Sequence, residues 1–115
     1  MDRMKFVPHL IGGILMWANV LSNDARGEAI FFSGNDLLKM CAGPERIGCH
    51  AYVAGVEDAI VSERADEGKS SCLPHSLQIG QAVGVTLNYL ISHPETRDFS
   101  AAFLIREAIT VAWRC

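Results

Sequence analysis

The sequence predicts an all-α domain of four to five short helices stapled by two disulfides, and three observations carry that prediction. No stretch alternates apolar and polar residues for long enough to make a strand. Apolar residues instead recur at three- and four-residue spacings in segments bounded by proline, glycine or a polar capping residue. The chain also holds four cysteines, all of them beyond a leader-like N-terminus. An even cysteine count in a short exported chain reads as a disulfide framework, which supplements a thin core.

Residues 1–25 read as a secretory signal peptide cut near 22–25. Arg3 and Lys5 precede an almost uncharged run from Phe6 to Leu21, and Ser22, Asn23 and Ala25 supply small residues at its exit. A membrane-spanning helix needs about 20 apolar residues, whereas this run is shorter and is interrupted by Pro8, Gly12, Gly13 and Asn19. Cleavage leaves residues 26–115 as one exported domain with no membrane attachment. That part holds 8 Lys+Arg against 11 Asp+Glu, a net charge of −3 with no basic stripe. Such a balance argues against a nucleic-acid partner.

The first helix is expected around Asn35–Cys41, with Ser33 or Asn35 as its cap. Leu37, Leu38 and Cys41 share one face, and Gly43-Pro44 ends it. The second runs from Ile47 to about Asp66, with Cys49, Tyr52, Val53, Val56 and Ile60 as its apolar stripe. On that reading Glu57, Glu63, Arg64 and Asp66 face water, and Asp58 is the half-buried carboxylate. A polar, flexible loop over Ala65–Ser71 and the turn residue Pro74 follow. The third helix is expected over Leu77–Ile91 behind a Ser76 cap, with Val83, Leu87, Leu90 and Ile91 inward. His93-Pro94 breaks it. Asp98 or Ser100 then caps a fourth helix whose apolar face is Phe99, Phe103, Leu104, Ala108, Val111 and Ala112. Ala51/Gly55 and Gly80/Gly84 are small residues four apart, and the second and third helices are expected to pack closely there.

Three pairings of Cys41, Cys49, Cys72 and Cys115 are open. Cys41–Cys49 would be a local bridge across the Gly-Pro turn, leaving Cys72–Cys115 to clasp the last two helices. The main rival pairs Cys41 with Cys72 and Cys49 with Cys115. Metal-site chemistry is poorly served by these spacings: Cys49-His50 and Cys72-x-x-His75 lack the tight Cys-x-x-Cys form. Paired cysteines leave no thiol nucleophile, and the Ser76, His75 and Asp98 set has no nucleophile-elbow glycines. The residues point to no enzyme, no cofactor and no metal. They describe an interaction module with an acidic helix end and a polar loop, Glu63 to Ser71.

The chain also resembles the Rap/Tai family of type VI secretion immunity proteins. The matching residues are Ser33-Gly-Asn-Asp-Leu-Leu-Lys-Met-Cys41 and Cys49-His-Ala-Tyr52-Val-Ala-Gly55-Val-Glu-Asp58-Ala59, then Cys72-Leu-Pro74 and Gly80-Gln81. Tyr89-Leu90, His93-Pro94-Glu95-x-Arg97, Ser100-Ala-Ala102 and Cys115 complete the set, which spans about residues 33–115. It departs from the family at Ala51-Tyr52-Val53, commonly Gly-Tyr-Ile, at Ser71, commonly Phe, and at Trp113-Arg114-Cys115, commonly Phe-Pro-Cys. The resemblance implies a small periplasmic all-α protein, often a homodimer, that binds and blocks a peptidoglycan amidase delivered by type VI secretion. Inhibition would work by occlusion, with a rigid segment entering the amidase cleft. Glu63, Arg64, Asp66, Glu67 and Lys69 are the expected contact residues, and Tyr52, Gly55, Asp58, Pro74, Gln81 and Pro94 the structural motif. The alternative is a stand-alone periplasmic helical protein with a stress or chaperone-like role.

Overall fold

A computed structural model describes residues 28–29, 31–44 and 46–115. The expected signal peptide lies outside the described residues. Among these residues four α-helices follow one another: α1 (Gly34–Ala42), α2 (Ile47–Asp66), α3 (Ile79–Ser92) and α4 (Ala101–Ala112). A single 3-10 turn, Pro94–Thr96, separates the last two. Each helix packs against the other three. Among the described residues there is no strand, only two isolated antiparallel bridges, Glu28 to Phe99 and Ser33 to Ser100.

Ser33 starts α1 as its sequence suggests. Its hydroxyl accepts from the Asp36 backbone N–H at 3.2 Å, and the Asp36 carboxylate accepts from the Ser33 N–H at 2.9 Å. This reciprocal box satisfies donors that a helix start otherwise leaves free, and donation from the Ser33 N–H and from its hydroxyl holds the Asp36 carboxyl below the usual carboxylate range. Further donors are met by a neighbouring strap. Gly34 N–H donates to Phe99 O and Asn35 N–H to Arg97 O, both at 2.9 Å, while Ala101 N–H of α4 donates back to Phe32 O at 2.9 Å. The segment before each helix thus caps the other. Asp98 is not a helix cap; its carboxylate accepts from the Asn35 side-chain amide at 3.2 Å.

The start of α3 lies two residues later than Ser76 suggests. Leu77 N–H closes a turn onto Pro74 O at 3.1 Å, and Gln78 is extended before helical geometry begins. Gln81, one of the expected motif residues, turns its side-chain oxygen back onto the Gln78 N–H at 3.0 Å. Pro94 opens the 3-10 turn that ends α3.

The core is built from Leu37, Cys41, Cys49, Val53, Leu90, Ala101, Leu104 and Ile105, with Ile60, Ala82, Val83 and Ile109 around them. Three expectations about inward faces fail here. Ile105 and Ile109, not Val111 and Ala112, complete the α4 face, and Ile91 is exposed. Ala51, Gly55 and Gly80 are exposed, and a side chain built at Gly55, Gly80 or Gly84 would meet nothing. Close α2–α3 approach does not occur at those residues. The third concerns α2: Asp58 is exposed and Glu57 is buried.

The disulfides join Cys41 to Cys49 and Cys72 to Cys115, with Cα–Cα separations of 5.0 and 5.2 Å. The first lies in the core and ties α1 to the start of α2. The second ties the α2–α3 connection to the residues after α4.

Candidate partner-binding surface

The C-terminus of α2 does not dissolve into a loose loop. Gly68 adopts a left-handed φ of +71°, its N–H donates to Ala65 O at 3.0 Å, and Lys69 N–H donates to Arg64 O at 2.8 Å. This is a Schellman cap, in which glycine supplies the backbone that other residues adopt only at a cost. The chain beyond is pinned again. Arg64 donates from Nε to the Ser70 carbonyl, and its Nη2 reaches Cys115 Sγ at 3.6 Å. Cys72, at φ 64°, donates its N–H to Ser70 Oγ at 3.1 Å.

The five expected contact residues therefore divide. Glu63 accepts from Arg106 of α4 at 3.0 Å, and Arg64 is spent on the turn and the clasp. Both act as buttresses. Asp66, Glu67 and Lys69 face solvent, with Lys69 and Glu67 3.8 Å apart in an exposed pair of little energetic weight. Between the ends of α2 and α4 lies a groove of about 390 Å³, with Ile60, Ile109 and Trp113 below a rim that includes Arg64, Glu67 and Arg114. The arrangement offers a fixed, charged edge beside a partly apolar groove, which suits protein recognition better than small-molecule chemistry.

The remaining motif residues differ in their surroundings. Tyr52 is half-buried with its ring edge-on to Phe32, centroids 5.4 Å apart. Burial pushes its hydroxyl up, and the Ala102 backbone opposes that shift. Pro74 sets the turn into α3, while Gly55 and Asp58 are exposed on α2.

Glu57 is the residue that sequence reasoning missed. It is 7 % exposed, and its Oε1 has no hydrogen-bond partner. Burial raises its carboxyl above the usual range, and the neighbouring Asp58 charge adds to the rise. A signal was present: Cys49, Val53 and Glu57 are spaced at four and eight, in phase with the buried stripe. The sign of the linkage follows. Between the ordinary carboxylate pKa and the raised one, the folded protein holds a proton that the unfolded chain releases, so stability falls as pH rises through that window. Glu57→Gln keeps the shape and removes the ionisation. Its melting temperature is expected to exceed that of the parent at pH 8, with the gap closing toward pH 4. A gap independent of pH would refute the assignment.

Among the described residues no group of His, Cys, Asp or Glu is placed to hold a metal ion, and no helix is long and apolar enough to cross a membrane. A family model described as Rap1a immunity proteins matches residues 33–115. No curated protein and no solved structure matches the chain.

Proposed function

Because the chain belongs to the Rap1a immunity protein family, whose members have a type VI effector immunity role, we propose that it works in the periplasm by binding and occluding a peptidoglycan amidase effector. The observation that carries the occlusion reading is the doubly fixed turn at Glu67–Cys72. It is held by a Schellman cap on one side and by the Cys72–Cys115 bridge on the other. A plug must enter a cleft without first being ordered, since ordering a loose segment subtracts from affinity. Asp66, Glu67 and Lys69 make the contact edge, whose charges select the partner and speed encounter. Glu63 and Arg64 act from behind by holding that edge in place.

Removal of Glu67–Lys69 tests this. The variant is expected to keep its fold and its helix content but to lose binding to its amidase effector, measured by calorimetry, and to lose protection of cells that export that effector. Retained binding would move the contact surface elsewhere. Homodimerisation belongs to the same reading. The groove between α3 and α4 lined by Val85, Tyr89, Ala108 and Val111 supplies apolar surface for a second copy, and sedimentation velocity distinguishes dimer from monomer.

A further inference from the structure

A cleft of about 220 Å³ opens between α2 and the segment that leads into α3. Its walls include Val61, Leu77, Ile79 and Ala82, and its charged lining residues are Glu57 and Asp58 alone. No lysine or arginine among the described residues lines it. Glu57 is more than nine-tenths buried, with Oε1 unpartnered among the described residues. A buried polar atom without a partner is costly, and an ionised one more so. The protein therefore carries at this cleft a demand for hydrogen-bond donors and positive charge that none of its described residues meets.

We propose that the cleft receives an arginine side chain of a partner protein, with the guanidinium on Glu57 and Asp58 and the stem against Val61, Leu77 and Ile79. Two adjacent carboxylates offer several acceptor oxygens, which suit a planar guanidinium with five N–H donors better than a point-charge ammonium. The guanidinium is also the more weakly hydrated cation, so it leaves water more readily for a half-enclosed site. The apolar walls cover the methylene stem, as amphipathic side chains require. Val61 and Ile79 are 41 % and 38 % exposed, so the mouth presents apolar surface to an incoming chain. Arginine is among the side chains that dominate the energetics of protein interfaces.

This inference rests on the reading of the chain as a partner-binding protein, but its test uses no effector, so the two fail separately. Amide chemical shifts of Leu77, Ile79 and Ala82 are followed while N-butylguanidinium, butylammonium or 1-butanol is added to the 15N-labelled, disulfide-bonded protein at pH 7.5. Butylguanidinium is expected to give saturable shifts at these amides with a Kd at least about tenfold below that of 1-butanol, a ratio equivalent to about 1.4 kcal/mol. Glu57→Gln should erase that preference. Val61→Arg, one helical turn from Glu57 and already exposed, should fill the cleft from within and abolish the shifts, so the test does not depend on one variant. Equal responses to butanol and butylguanidinium, a preference that survives Glu57→Gln, or no saturable response would overturn the proposal. Tighter binding of butylammonium would overturn the arginine assignment in favour of lysine.

Discussion

Replacing Cys72 and Cys115 together by alanine is expected to lower the unfolding free energy by up to about 4 kcal/mol, the chain-entropy value for a loop of this length. The bridge spans a sequence separation of 43 against 8 for Cys41–Cys49, for which the same model gives only about 2.6 kcal/mol. The measured loss should fall somewhat short of the full figure. Cys72 holds a left-handed φ of 64°, and a non-glycine residue there costs roughly 1–2 kcal/mol that the freed chain recovers. Urea denaturation measures the change, with the midpoint moving to lower concentration. The same variant separates two roles. The Schellman cap does not involve either cysteine and should survive, whereas Arg64 loses its contact with Cys115 and the turn after Lys69 loosens. Any effect on partner binding should therefore appear only with that loosening. A loss below about 1 kcal/mol would mean that the clasp constrains the unfolded chain far less than its length implies.

Leu104→Ala is the second large effect, expected at about 2–5 kcal/mol from lost burial and the cavity left behind. Leu104 is 1 % exposed and lies against the start of α1, where no side chain would fit. A Cβ at Gly34 would meet Leu104 Cδ1, with Arg97 O at 2.9 Å and Arg97 Cα at 3.1 Å. Gly34→Ala should accordingly cost about 1–3 kcal/mol by overpacking. The two costs should not add. Leu104→Ala removes one of the obstructing groups, so the double variant should lose less than the sum, by a coupling of roughly 0.5–3 kcal/mol. The Arg97 backbone remains in the way, so rescue should be incomplete. Strict additivity in denaturant titrations would show that Leu104 is not what forbids a side chain at Gly34.

The helices were legible because they depend on local chemistry: the Ser33 cap, the Gly43-Pro44 stop and the break at His93-Pro94. The presence of two cross-links was legible from the cysteine count, but their pairing was one of three that the sequence left open. What escaped depends on how helices are rotated against one another. Charge argued that Glu57 faces water, and tertiary packing overrode charge. Small size argued that Ala51, Gly55, Gly80 and Gly84 mark a close crossing, but a small residue on an exposed face looks the same in sequence as one at a contact. The edge proposed for partner contact shows in the sequence only as a polar run after α2. Its rigidity does not show there, since that comes from Arg64 reaching Ser70 and from a cap whose partners lie three and five residues apart along a turned backbone.

The crossed strap between the first and last helices has a consequence for how the molecule breathes. Helix ends are ordinarily where opening begins, because their backbone groups are held least. Here the amides of Gly34 and Asn35 depend on the connection that precedes α4, and that of Ala101 depends on the segment that precedes α1. Neither end can fray without releasing the other. Sequence-distant termini are thereby merged into a single cooperative unit, and spontaneous local opening is displaced toward parts of the fold that are not tied in this reciprocal way.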